Sequence, residues 1–166
     1  LNAQTDHNAS ANIKAVQQAA QIYGITVLPG MELQTKEEVH ALCLFDTLEQ
    51  IDQFQKFVDD KLPKILNNPD YFGEQLVVDQ NGDYIRKEDQ LLITSTAISL
   101  QEAFEEVEKR NGLFIPAHVN RKANGLLEIL GFVPPDIPFL ALEISRHISP
   151  RQARKQFPAL QNQVLI

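Results

Sequence analysis

Three features of this 166-residue chain predict an α/β fold of layered or barrel type. Short apolar runs rich in β-formers alternate with segments of helical periodicity, the order expected when strands are covered by helices on both faces. Two Ser/Thr-x-x-Gln/Glu boxes open apolar-periodic segments and mark helix starts. The length suits one core, so residues 1–166 are expected to form a single domain.

The elements follow in order. Residues 11–23, "ANIKAVQQAAQIY", place Ile13, Val16, Ala20 and Tyr23 at helical spacing, with Gly24 as a left-handed stop. "ITVLPGMEL" and "VHALCLF" are too densely apolar for strands wet on one side and read as strands buried on both faces. Thr47 and Gln50 form a capping box for a helix whose Leu48, Ile51, Phe54, Val58 and Leu62 recur every three or four residues. Asn81-Gly82 between two alternating runs predicts an inserted β-hairpin. Ser99 and Glu102 form the second box, opening a helix that turns Leu100, Ala103, Phe104 and Val107 inward and stops at Gly112. "LFIPAHVN" and "FLALEIS" read as two further strands around a short helix at "GLLEIL". Ser149-Pro150-Arg151-Gln152 starts a last helix, with proline where its missing N–H is harmless. The final "QVLI" reads as a strand just begun.

With 43% hydrophobic and 22% charged residues, the composition is that of an ordinary globular chain rather than a disordered or fibrous one. No apolar run approaches the roughly 18 residues needed to cross a membrane, and no charged-then-apolar leader is seen, which predicts a cytoplasmic protein. Cys43, the sole cysteine, lies in an apolar run and reads as a small buried hydrophobe. A net charge of −7 disfavours nucleic acid as a partner unless the cations share one groove.

Chemistry concentrates at the histidines. His7 sits in the polar stretch "QTDHN", His40 begins "VHALCLF", His118 ends "LFIPA", and His147 lies in the charged turn "SRHISP". A single strand-end histidine is more often structural than functional. Glu32 is the sharper signal, because an unpaired carboxylate within an apolar run is costly. If "GMEL" and "VHALCLF" pair as an antiparallel hairpin turning near Lys36, Glu32 falls directly opposite His40, with Cβ atoms about 5 Å apart. A metal ion could bridge them; a hydrogen-bonded Glu–His pair without metal accounts for the same spacing. His118, in "IPAHVNR", adds a second imidazole, and two imidazoles with a carboxylate suit Zn²⁺, Mn²⁺ or Fe²⁺ with positions left open for water and substrate.

"TDHN" after a short strand, "GITVLPGMEL" followed closely by "EVHALCLF", then "GLFIPAHVNR" and "ALEIS", together resemble the PHP family, named for polymerase and histidinol phosphatase. The resemblance implies an incomplete, distorted barrel of about seven βα units with an inserted hairpin. It also implies a cluster of divalent metals at the strand ends and hydrolysis of phosphoesters. Carried over, His7, Glu32, His40 and His118 are metal ligands, Glu32 bridging two ions. Asp6 orients an imidazole from outside the ligand set, and Arg121 is the candidate for holding a substrate phosphate, with a surface salt bridge as the other account of it. His147 matches no family ligand and is expected to be solvated. The family's opening His-x-His strand and closing Asp-x-His motif are not found within residues 1–166, so the resemblance implies a domain truncated at both ends. Partial or absent metal, weak turnover on a small phosphorylated substrate or nucleotide, and dimerisation through exposed strand edges are the consequences. The competing reading is a non-catalytic PHP-like scaffold whose histidines are satisfied by hydrogen bonds.

Overall fold

The computed structural model describes residues 1–166. A four-stranded sheet forms its centre: β1 (Asn2–Gln4), β2 (Val27–Gln34), β3 (His40–Leu44) and β6 (Leu113–Pro116), adjacent in that order. β1 runs parallel to β2, while β2–β3 and β3–β6 are antiparallel. The sheet stays open. No closed barrel forms, because β2 and β3 are joined by a hairpin where a βα barrel would have a crossover helix, so successive strands reverse direction.

Helices α1 (Ile13–Gln21), α2 (Leu48–Lys61) and α4 (Leu100–Glu108) cover the sheet. α2 starts on the complete Thr47/Gln50 capping box and buries Ile51, Phe54 and Val58. α4 starts on Ser99, whose hydroxyl accepts the Glu102 N–H; the Glu102 side chain is drawn instead to Lys61, so the second box is only half formed. The left-handed stop after α4 is Asn111 rather than Gly112. Gly112 serves close approach: a Cβ there would lie 2.6 Å from the Phe45 ring. In α1 the buried residues are Ile13 and Ala15, whereas Tyr23 lies past the helix end and is exposed. The predicted stop at Gly24 is present, with φ +65°.

The hairpin at Asn81-Gly82 forms as β4 (Leu76–Val78) and β5 (Tyr84–Lys87), preceded by a one-turn helix α3 (Pro69–Phe72) that periodicity over so few residues could not announce. After β6 come α5 (Leu126–Leu130) and α6 (Pro150–Gln156), the latter on the Ser149/Gln152 capping box with Pro150 at its first position. "FLALEIS" is not a strand. Leu142 and Ile144 donate to the carbonyls of Val164 and Ile166, and Glu143 bonds the carbonyl of Pro116 and the N–H of Val119. The neighbouring chain turns away at His118, so the ladder ends there, and the terminal "QVLI" contributes a single bridge, Leu142 to Leu165. One core of 22 buried apolar residues joins the sheet to its helices. Cys43 is within it, fully buried, its thiol made hard to ionise by desolvation. No helix is long and apolar enough to cross a membrane.

Candidate metal centre

Four side chains from four separate stretches meet at one end of the sheet. The parallel register of β1 on β2 continues past the strand, so His7 bridges Glu32: the Glu32 N–H donates to Asp6 O and the Asn8 N–H to Glu32 O, each at 3.1 Å. Paired residues face the same side of a sheet, so the His7 and Glu32 side chains project together. Asn8 fixes this turn. It adopts φ +50°, is fully buried, donates to the carbonyls of Leu92 and Thr94, and accepts the Gln34 N–H.

The β2–β3 register differs from the expected one. Glu32 pairs with Leu42, and His40 with Gln34. The turn is centred one residue later, on Glu37: the Glu38 N–H donates to Thr35 O, the Thr35 N–H to Val39 O, and Glu38 takes φ +67°, making a three-residue loop with a left-handed third residue. A shift of two residues preserves the face, so Glu32 and His40 become diagonal neighbours and still touch, with Nδ1 of His40 3.1 Å from Oε1 of Glu32.

His118 arrives from the turn after β6. Its φ of +32° is unusual for a residue with a side chain, and its N–H donates to Oε2 of Glu143 at 2.8 Å. Its Nε2 lies 3.1 Å from Glu32 Oε1 and 3.3 Å from His40 Nδ1. His7 Nε2 is 3.8 Å from the other Glu32 oxygen. His40 and His118 are buried, and His7 is the most open member of the group.

Electrostatics follow from this packing. Burial raises the Glu32 carboxyl, but hydrogen bonds from His118 and His40 and the field of His7 outweigh it and hold the carboxyl well below its usual range. Burial pushes the His7 imidazole down, only partly opposed by Glu32. Glu32 is therefore an anion beside an imidazole that favours its neutral form, the states in which both donate lone pairs to a cation.

The donor set fits a divalent ion. One donor atom each from His7, Glu32 and His40 lies within 4.8 Å of the others, and ligands about 2.1 Å from a shared ion are themselves about 3 to 4.2 Å apart. His118 Nε2 adjoins this three-residue set, 3.1 Å from Glu32 Oε1 and 3.3 Å from His40 Nδ1. His7 Nδ1, His40 Nε2 and His118 Nδ1, in each ring the nitrogen other than the one nearest Glu32, are buried with no hydrogen-bond partner.

The remaining predicted residues are placed differently. The Asp6 carboxylate accepts from Gln4 Nε2 (2.6 Å) and Asn12 Nδ2 (3.4 Å) and makes no hydrogen bond to an imidazole. Arg121 is exposed; its N–H closes the turn onto His118 O, and its guanidinium has no partner. His147 is exposed in its turn and is not among the grouped ligand-type side chains. Sequence reasoning missed Glu143. A carboxylate that bonds a backbone N–H 25 residues away leaves no spacing to read, and its place in "ALEIS" was the only signal.

No protein-family model matches the chain, and no curated protein matches it in sequence. Solved structures do share its fold. A provisionally assigned metal-dependent phosphoesterase from Bifidobacterium adolescentis superposes with a TM-score of 0.55 at 16% identity, over 95% of this chain and 71% of that one. The lesion-specific endonuclease PfuEndoQ from Pyrococcus furiosus superposes with a TM-score of 0.52 at 19% identity, over 76% of this chain. The match spans only 26% of the endonuclease. Both are PHP-type structures, and this chain has the PHP-type fold.

Proposed function

We propose that this protein is a metal-dependent phosphoesterase that hydrolyses a phosphate ester at the His7–Glu32–His40–His118 cluster. One observation carries the reading: three imidazoles from distant stretches converge on the Glu32 carboxylate, in a fold shared with a provisionally assigned metal-dependent phosphoesterase. Zn²⁺, Mn²⁺ or Fe²⁺ suits the nitrogen-rich donor set and, when bound, would supply Lewis acidity toward a phosphoryl oxygen and a water acidic enough to act as nucleophile near neutral pH.

The chain's own residues do the rest. Glu32 supplies the negative charge and, through contacts to three imidazoles, sets their mutual orientation. Glu143 holds the His118 backbone in its left-handed turn. Asp6 acts on the loop that carries His7 by binding Gln4 and Asn12. Arg121, exposed and one turn from His118, is the candidate cation for neutralising an incoming phosphate. A single cluster of four donors gives weak turnover relative to sites that clamp the substrate between two ions. The net charge of −7 favours a small ester over a nucleic acid, although one fold neighbour is an endonuclease.

Elemental mass spectrometry after incubation with Zn²⁺ or Mn²⁺, paired with hydrolysis of bis-p-nitrophenyl phosphate, p-nitrophenyl phosphate and single-stranded DNA, tests this reading. About one ion per chain and metal-dependent release of nitrophenol, both abolished in Glu32→Gln, are expected. No metal retained after supplementation points instead to a non-catalytic scaffold.

A further inference from the structure

The inserted hairpin supplies no ligand to the cluster, yet it encloses space beside it. A cavity of about 300 Å³ lies between the loop carrying His7 and the α3–β4 segment, with Glu88 and Ile93 also in its lining. His7 lines it and belongs to the cluster, so cavity and centre share a wall. Its size is at the small end of ligand pockets, enough for one or two fused rings.

The lining states what would fit. Phe72, Leu76 and Ile93 all border the cavity and are 47%, 43% and 51% exposed, three large apolar side chains left open around one mouth. Exposed apolar groups gathered at a concavity are more informative than the same groups scattered. The polar lining groups are committed elsewhere. Asn12 donates to Leu76 O and accepts the Val78 N–H; Gln75 bonds the carbonyls of Glu88 and Gln90 and the Leu92 N–H; Glu88 pairs with Arg86. Those bonds, with Asn8 on Leu92 and Thr94, pin the hairpin to the His7 loop and make the cavity a built feature. Its charged lining residues, Asp6 and Glu88, are both acidic, and no Lys or Arg faces it.

We infer that the hairpin cavity is the binding site for the organic half of the substrate, and that this half is an uncharged, apolar, aryl-sized alcohol esterified to a single phosphate. The inference rests on the phosphoesterase reading for the phosphate end, while the cavity alone defines the other end. Apolar walls take a ring system without leaving its polar atoms unmatched. With Arg86 committed to Glu88 and no Lys or Arg in the lining, the cavity offers nothing to hold a second phosphate or sulfonate, so bisphosphates and nucleoside polyphosphates are disfavoured substrates.

The test separates the two readings by measuring alcohol binding apart from turnover. The full chain without added metal is titrated against 1-naphthol by fluorescence, alongside Ala11→Trp, which fills the cavity, and Phe72→Ala, which removes a wall. Both positions tolerate change, since Ala11 is exposed and Phe72 is half open, and circular dichroism checks that each variant is folded. Saturable binding weakened at least fivefold in both variants is expected, with 1-naphthol-4-sulfonate binding at least tenfold more weakly than 1-naphthol. With metal, 1-naphthyl phosphate should be turned over at least tenfold more efficiently than glycerol 2-phosphate, a preference lost in Phe72→Ala. Naphthol binding without turnover of any ester sustains the cavity and overturns only the hydrolytic reading. No naphthol binding, binding unchanged in both variants, or equal binding of the sulfonate overturns the inference.

Discussion

Glu32 sits among three imidazoles, and its neighbours explain both its burial and its charge. An apolar run containing a lone carboxylate was a legible anomaly, as was the bias toward histidine at strand ends. Glu143 was not legible, because a side chain that accepts from a backbone N–H needs only position, and position is a tertiary fact. Its bond to His118 gives a test of that role. Replacing it in Glu143→Ala leaves a buried N–H unmatched beside a strained φ, a loss of about 1–3 kcal/mol, and loosens His118 enough to weaken metal affinity about tenfold or more. Glu143→Gln keeps a carbonyl acceptor and should recover most of the stability. Urea melts and metal titrations of the pair check this; equal behaviour of the two variants would remove Glu143 from the positioning role.

Elements were read well where local signals suffice and less well where register or pairing decides. The α2 capping box, the Pro150 start of α6 and the Asn81-Gly82 hairpin are local chemistry and stand where expected. The β2–β3 register was displaced because Glu38, a residue without glycine's freedom, takes the left-handed position of the turn. "FLALEIS" had the composition of a strand but lacks a partner long enough to make one. Between helices, Arg110 ties the end of α4 to α2. Its guanidinium lies 5.9 Å and 5.8 Å from the Phe54 and Phe57 ring centres, pairs with Glu106, and its carbonyl accepts from Gln50. Arg110→Ala should therefore lower stability by about 1–2 kcal/mol from the lost cation–π contacts and ion pair. The Arg110 hydrogen bond, foremost, holds the Glu106 carboxyl below its usual value. That share of stability is present above the unfolded carboxyl pKa and disappears as pH falls through the folded one. A Glu106→Gln/Arg110→Ala double-mutant cycle should give a coupling of about 0.3–0.5 kcal/mol at pH 7 that falls away as acid protonates the folded carboxyl. A coupling independent of pH would mean that packing alone holds the pair.

At the scale of the whole molecule the cluster ties folding to protons and to metal in opposite senses. With no metal, the folded state depresses the Glu32 carboxyl, through His118 and His40 hydrogen bonds that outweigh its burial, and depresses the His7 imidazole through burial. Both groups then bind fewer protons folded than unfolded, so stability rises with pH. The Glu32 contribution is present above the unfolded carboxyl range near pH 4.5 and fades below it, and the His7 penalty grows as pH drops below 6.5. An ion held only by the folded state adds stability by mass action, about 2.7 kcal/mol at a hundredfold excess over its Kd. For a chain of this length that is a rise in melting temperature of about 5–10 °C. Protons compete for the same imidazole and carboxylate lone pairs, so the rise should be largest near pH 7.5 and much reduced at pH 5.5. Thermal melts of the wild type with and without Zn²⁺ or Mn²⁺ at the two pH values, repeated for Glu32→Gln and His118→Ala, measure it. Melting temperatures that metal raises equally in wild type and both variants would place the ion elsewhere on the surface and leave the four converging side chains a hydrogen-bonded knot.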